Sequence, residues 1–145
     1  MKTIDVTAYA DAPAADVYKL LVNGETWTEW APFDGFEIVE PGDAERLGEV
    51  HIFRFRRNAS RERIVELIPG RRYSYELLGG PPLRDYRADV DLTEEGGRTR
   101  IHWHSSFRPG RPGTGWIYRA YLSRFIGRCV EGLAAQVSGA APKSP

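Results

Sequence analysis

The sequence has one cysteine, Cys129, in 145 residues, which excludes an internal disulfide. Charge of either sign is in no excess: 20 Lys and Arg stand against 20 Asp and Glu, for a formal net charge of zero. No global basic field exists to hold nucleic acid by counterion release, so nucleic acid is not an expected partner. No apolar run approaches the ~18 residues of a membrane-crossing helix. The start, MKTIDVTAYA, lacks the apolar stretch of a signal peptide. No membrane span is expected, and the cytoplasm is the expected location. The motifs H-E-x-x-H, C-x-x-C and G-x-S-x-G are missing, and neither a metal nor a cofactor is expected. Gly110–Gly115 superficially resembles a phosphate loop. It lacks the Lys-Ser/Thr ending and Pro112 interrupts it, so it reads as a loop leading into a helix.

What is present is an aromatic-rich chain, with four Trp, seven Tyr and six Phe. These rings supply large buried area, and Tyr and Trp keep a polar tip that needs a partner. Such a mixture suits a hydrophobic cavity with a wet end, and it equally suits a filled core.

The longest pattern is Gly113–Ser138. Tyr118, Leu122, Phe125, Ile126, Cys129, Leu133 and Val137 recur at helical spacing, with Arg124, Arg128 and Glu131 opposite. This predicts a helix of ~25 residues and ~38 Å, long enough to cross a small domain. Cys129 falls on its apolar stripe and reads as a buried thiol; a nucleophile would need a base and access to substrate.

Nearly everything earlier reads as strands. Thr3–Ala10 alternates with period two, setting Ile4, Val6 and Ala8 against Asp5, Thr7 and Tyr9. Pro13 then opens a helix through Val22, and Asn23-Gly24 ends it. Glu25–Trp30 forms a second short helix with Trp27 and Trp30 on one face. Strands follow at 35–39, 48–57, 61–68, 72–78, 84–93 and 98–107, separated by turns such as Pro41-Gly42-Asp43, Pro69-Gly70 and Gly79-Gly80-Pro81-Pro82. Tyr86, Ala88, Val90 and Leu92 face one way, as do Ile101, Trp103, Ser105 and Phe107. In 48–57, Phe53 and Phe55 oppose Val50 and Ile52, which leaves the inner face of that strand unassigned. The order implies an α+β domain, an antiparallel sheet flanked by helices, over residues 1–138, with 139–145 a disordered tail.

Three stretches carry a family resemblance: Ala12-Pro13-Ala14-Ala15-Asp16-Val17-Tyr18, Trp27-Thr28-Glu29-Trp30-Ala31-Pro32, and Ile64-Val65-Glu66-Leu67-Ile68-Pro69-Gly70-Arg71-Arg72-Tyr73. In order and spacing, over residues 2–138, they resemble the START and birch-pollen-allergen superfamily called SRPBCC, in its polyketide cyclase/dehydrase-like branch. The resemblance implies a helix-grip fold: a seven-stranded antiparallel sheet wrapped around a long C-terminal helix, with two short helices between strands one and two. It also implies a hydrophobic cavity between sheet and helix. Members bind lipids, sterols, quinones, polyketides or plant hormones, and some shape aromatic polyketides.

On that basis the expected cavity residues are Trp30, Phe33, Tyr73, Tyr75, Tyr86, Trp103, Phe107, Tyr118, Leu122 and Phe125. The expected partner is a hydrophobic small molecule, bound by a monomer or weak homodimer. The alternatives are a cyclase/aromatase-type enzyme, with Glu66, Tyr73 or Tyr75 as proton donor or acceptor, and a module acting through its surface. Glu66, two residues after Ile64, either faces inward as an acid or base or pairs with an Arg or Tyr of the next strand. Asp89 and Asp91 are expected to face outward and pair with Arg98 or Arg100. His102 and His104 share one strand face, opposite Trp103, and read as part of the solvated outer surface rather than as metal ligands. The Arg54–Arg57, Arg61, Arg63 and Arg71-Arg72 positions read as a solvated sheet face, or as a site for an anionic head group or acidic partner.

Overall fold

A computed structural model describes residues 1–139; the rest of the expected tail lies outside the described residues. Strand β1 (Lys2–Ala10) leads into helix α1 (Ala14–Val22), a single 3₁₀ turn (Gly24–Thr26) and the one-turn helix α2 (Trp27–Trp30). Six strands follow: β2 (Gly35–Glu40), β3 (Val50–Phe55), β4 (Asn58–Ile68), β5 (Arg72–Gly79), β6 (Leu83–Glu95) and β7 (Arg98–Pro109). Helix α3 (Gly115–Val137) completes the chain, 23 residues or ~35 Å long. The seven strands form one antiparallel sheet in the order β1-β7-β6-β5-β4-β3-β2, the helix-grip arrangement.

Local contacts set the start of α1 and the turn into α2. Pro13 takes extended backbone at the N-cap of α1, and the free Ala14 N–H donates to Glu94 Oε1 of β6 at 2.8 Å. A strand side chain thus satisfies one of the exposed donors of a helix start. The turn into α2 is held by Thr26, whose hydroxyl donates toward Leu20 O and Asn23 O at 2.8 and 2.9 Å. Trp27 Nε1 donates to Leu21 O at 2.9 Å, so the largest ring of the segment enters the core with its polar tip satisfied.

The strand alternation sorts the two faces as the sequence predicts in β1, β6 and β7, where Ile4, Ala10, Ala88, Val90, Ile101, Trp103 and Phe107 are buried. Trp27 is the hub. Its ring lies 4.7 Å from Phe53, 4.8 Å from Trp30, 5.6 Å from Trp103 and 5.8 Å from Tyr73, centroid to centroid. Such packing of offset and edge-on rings adds to what the buried area alone contributes.

Helix α3 lays Ile126, Cys129, Val130, Leu133 and Ala134 into this core and keeps Arg124, Arg128 and Glu131 in solvent. Its approach to α2 is closest at Gly132, where an added Cβ would sit 1.8 Å from Trp30 O. Glycine is required there by contact between the two backbones, not by backbone conformation. At the same end, Asp11 N–H donates to Ser138 Oγ at 2.9 Å.

Candidate functional site

The helices fill only one end of the space between sheet and α3. At the other end lies a cavity of ≈ 780 Å³, within the usual range for small-molecule sites. Seven of the ten expected residues line it: Phe33, Tyr75, Tyr86, Trp103, Tyr118, Leu122 and Phe125. The other three, Trp30, Tyr73 and Phe107, are buried in the packed core and do not line it. Trp30 lies against Trp27, and Tyr73 lies beyond Tyr75 on the side filled by α2. Trp27 and Phe53 also reach the cavity wall, from the core side.

The mouth is marked by exposed residues. Among them are Arg57 of the β3–β4 turn, Asn58 at the start of β4, Gly80 and Pro82 of the β5–β6 loop, and Ile117 and Tyr121 from the first turns of α3. The inner wall is marked by buried ones, Trp27, Phe53, Glu62, Trp103, Ile126 and Cys129. Cys129, on the apolar stripe of α3, is a buried thiol that reaches this wall.

One member of that wall is a carboxylate. His51, Phe53 and Phe55 share the inner face of β3, which resolves the face that the sequence left unassigned. His51 faces Glu62 of β4 in register. Its Nδ1 lies 2.9 Å from Glu49 Oε2 and its Nε2 lies 3.5 Å from Glu62 Oε1. Glu49 Oε1 accepts a bond from Arg46 Nε at 2.7 Å, and Ser60 Oγ donates to Glu62 Oε2 at 3.3 Å. Glu49, His51 and Glu62 are all buried.

Burial works against the His51 cation, but the two flanking carboxylates outweigh it and push the imidazole up to about 9. His51 is therefore an imidazolium at neutral pH: its Nδ1 donates to Glu49, while its Nε2 has no hydrogen-bond partner among the described residues and stands 3.5 Å from Glu62 Oε1. Burial likewise works against the Glu49 carboxylate, yet His51 and Arg46 hold it below the ordinary range. Desolvation pushes the hydroxyls of Tyr73 and Tyr75 well above their ordinary value and that of Tyr86 to about 12. All three are neutral hydroxyls at physiological pH, able to donate a hydrogen bond but not to act as phenolate bases. Tyr75 and Tyr86 face each other at 3.5 Å between hydroxyl oxygens.

Glu66, the carboxylate expected as a candidate acid or base, points away from the cavity. In β4, Ile64 pairs with Tyr75 and Glu66 with Ser74, so Val65 is an extra residue, a β-bulge. The bulge reverses the alternation. Ile64 and Leu67 face inward, and Glu66 accepts from Arg87 at 2.7 Å and from Arg72 at 3.3 Å on the outer face. Of the two readings left open for Glu66, the pairing with arginine is the one the geometry carries.

The outer face also corrects the partners expected for Asp89 and Asp91. Asp91 stands opposite Arg72 in β5 and accepts from its Nε at 2.6 Å, while Asp89 accepts from Arg87 and Ser74. Arg98 and Arg100 of β7 are not their partners, because Asp91 meets His102 across β7. His102 and His104 do face outward, as expected, with stacked rings 4.5 Å apart.

A carboxylate not expected from the strand spacing stands beside them. Donor atoms of Asp91, His102 and His104 lie within 4.8 Å of one another. Arg72 already binds both oxygens of that carboxylate and, together with His104, holds its pKa down against the effect of burial. A cation would have to enter against the guanidinium. The remaining arginines include Arg54, paired with Glu37, and Arg63, 3.3 Å from Glu76. This is an ion-paired, solvated face.

The sequence held a usable signal for the buried cluster. Glu49, His51, Phe53 and Phe55 are spaced by two, so whatever face takes the rings takes the acid and the imidazole as well.

Structural relatives share the whole architecture at low identity. A START superfamily protein from Mycobacterium smegmatis superposes with a TM-score of 0.81 at 12% identity, covering 94% of this chain and 97% of that one. Protein XoxI from Bacillus cereus gives 0.79 at 15%, covering 94% and 96%. The Aha1 dimer from Colwellia psychrerythraea gives 0.70 at 14%, covering 92% and 97%. At such identities the likeness establishes the fold alone. No curated protein sequence matches the chain. Among the described residues, no helix is long and apolar enough to cross a membrane. A family match at the level of sequence runs over residues 1–138 and takes in every strand and helix described above, and the chain accordingly belongs to the polyketide cyclase/dehydrase and lipid transport family.

Proposed function

We propose that this protein binds a hydrophobic small molecule, lipid-, quinone- or polyketide-like, in the cavity between the sheet and α3. The observation that carries this reading is the wall itself: rings from four strands, from the segment after α2 and from α3 enclose ≈ 780 Å³. Apolar rings with a few placed polar groups are what such sites are made of. Residues for contact with the ligand are Phe33, Tyr75, Tyr86, Trp103, Tyr118, Leu122 and Phe125. Trp30, Tyr73 and Phe107 support the wall from behind.

The test is native mass spectrometry of freshly purified protein, with denaturing extraction and identification of whatever is released. A stoichiometric lipophilic adduct is expected. A clean unliganded mass, together with no thermal stabilisation by a panel of lipophiles, would sink the reading.

A second reading, an enzyme of the cyclase/aromatase kind, is favoured by one observation: Glu62, in contact with the His51 imidazolium, borders the cavity. Proton transfer at a bound chain would fall to Glu62, with Tyr75 or Tyr86 donating to a developing oxyanion. Incubating the extracted molecule with the protein separates the two readings. A carrier returns it unchanged, whereas an enzyme returns a product of altered mass or absorbance.

A further inference from the structure

Glu62 is 5% exposed and lines the cavity. Its Oε2 accepts one long bond from Ser60 at 3.3 Å, while Oε1 has no hydrogen-bond partner among the described residues. His51 Nε2, at 3.5 Å, is too far to satisfy it. A buried carboxylate oxygen left in this state is costly, and a donor that reaches it is correspondingly favoured. Trp103 borders the same cavity, and its Nε1 is a buried donor that also has no partner among the described residues. Of the residues that line the cavity, Glu62 and Trp103 thus carry an unpartnered acceptor and an unpartnered donor, beside the Tyr75 and Tyr86 hydroxyls. A hydroxyl group, which both donates and accepts, complements the two.

The charges behind Glu62 fix the sign of what fits. Arg46 pairs with Glu49 at 2.7 Å and with Glu25 at 3.2 Å, and His51 stands between Glu49 and Glu62. Two cations, Arg46 and His51, thus stand among three acidic side chains, Glu25, Glu49 and Glu62, and a further carboxylate brought in by a ligand would meet Glu62 at close range in a dry site. Like charges so placed repel strongly. A ligand with a carboxylic acid head is disfavoured on this wall, and one with no polar head leaves both protein atoms without partners.

We propose that Glu62 is the recognition point for a hydrogen-bond-donating head group, a phenol or alcohol, on the hydrophobic ligand, so that the cavity selects hydroxylated ring or chain compounds over carboxylic acids of the same size. This inference rests on the binding role proposed above and adds the polarity of the ligand to it. Glu62 acts here as a specificity residue, and Arg46, Glu49 and His51 position it.

The experiment compares pyrene, hydroxypyrene and pyrenecarboxylic acid by fluorescence titration at neutral pH, with the full chain and with Glu62→Gln. The wild type is expected to bind hydroxypyrene about tenfold or more tightly than either of the others, the range for a hydrogen bond to a charged group. Glu62→Gln is expected to narrow the preference over pyrene to about threefold or less and to raise the affinity for the carboxylic acid. The wild-type comparison needs no variant, so it decides the matter even if Glu62→Gln fails to fold. If all three probes bind the wild type equally, or the acid binds best, the head-group inference falls while the container stands. If none binds, the container reading falls, and the inference with it.

Discussion

His51 and His104 lie on opposite faces of one sheet, and each has a carboxylate oxygen within hydrogen-bonding distance, Glu49 at 2.9 Å and Asp91 at 2.7 Å. Their surroundings differ in one respect that matters. The His51 side chain is fully buried, whereas that of His104 is 32% exposed. On the outer face, water solvates the partners and salt screens them, so an ion pair adds little to stability. On the inner face the same pairing holds charges that water cannot reach, and removing one partner leaves the others uncompensated. The outer network can tolerate change; the inner one carries both stability and the polarity of the cavity.

The largest effect that tests this contrast is Glu49→Ala, which leaves the His51 imidazolium and Arg46 without their shared carboxylate. A loss of about 3–5 kcal/mol is expected in urea unfolding. A loss below about 1 kcal/mol would mean that the inner cluster is no more important than the outer one.

Next comes pH. The His51 pKa is raised in the folded protein from the ordinary 6.5 to about 9. Its contribution is therefore complete below about 6.5 and lost as pH rises through about 9, a loss of about 3 kcal/mol for a shift of that size. Glu49 works in the other direction. Its lowered pKa adds stability above the ordinary carboxylate value of 4.5, lost as pH falls through the depressed one. Melting temperatures from pH 6 to 10 should fall in the wild type and stay nearly level in His51→Gln; a parallel fall in both would reject the assignment.

Smaller again is Leu122→Trp, which puts a larger side chain into the cavity. Affinity for hydroxypyrene should drop at least about tenfold, or ~1.4 kcal/mol, while the melting temperature changes little, since the added ring enters open space. Unchanged affinity would place the binding site elsewhere. The smallest effect belongs to the outer face. Asp91→Asn should cost no more than about 1 kcal/mol, and the difference should shrink further in high salt.

Legibility in the sequence followed the regularity of the strands. From Tyr86 to Leu92 in β6, beyond the irregularity at Arg84–Arg87, and along β7 the alternation is unbroken, and the positions of Tyr86, Trp103 and the outward histidines could be read directly. In β4 a single extra residue, Val65, reverses the parity, and nothing in Ile64-Val65-Glu66 marks it as a bulge; Glu66 was therefore open to an inward reading. In β3 both parities carry apolar residues, which hid the fact that His51 travels with Phe53 and Phe55. The aromatic lining was legible as a set but not in depth. Periodicity tells which face a ring takes, while α2 decides how far along the sheet the space is filled, and so Trp30 and Tyr73 ended in the core; Phe107 is buried beside Tyr86. Partners across strands, such as Arg72 for Asp91, needed the register, which strand spacing alone does not give.

Gly132 gives the long helix a fulcrum. There α3 rests directly on the Trp30 carbonyl, and just beyond it Ser138 is tied to Asp11. The other arm runs 17 residues to Gly115, ~26 Å at 1.5 Å per residue. At that arm's far end the helix borders the cavity mouth, and Arg119 Nε donates to Thr3 O of β1 at 3.0 Å. By lever arithmetic, a tilt of ~10° about Gly132 carries Gly115 through ~4–5 Å, so an angle small enough to leave the packed end almost unchanged is a full side-chain width at the aperture.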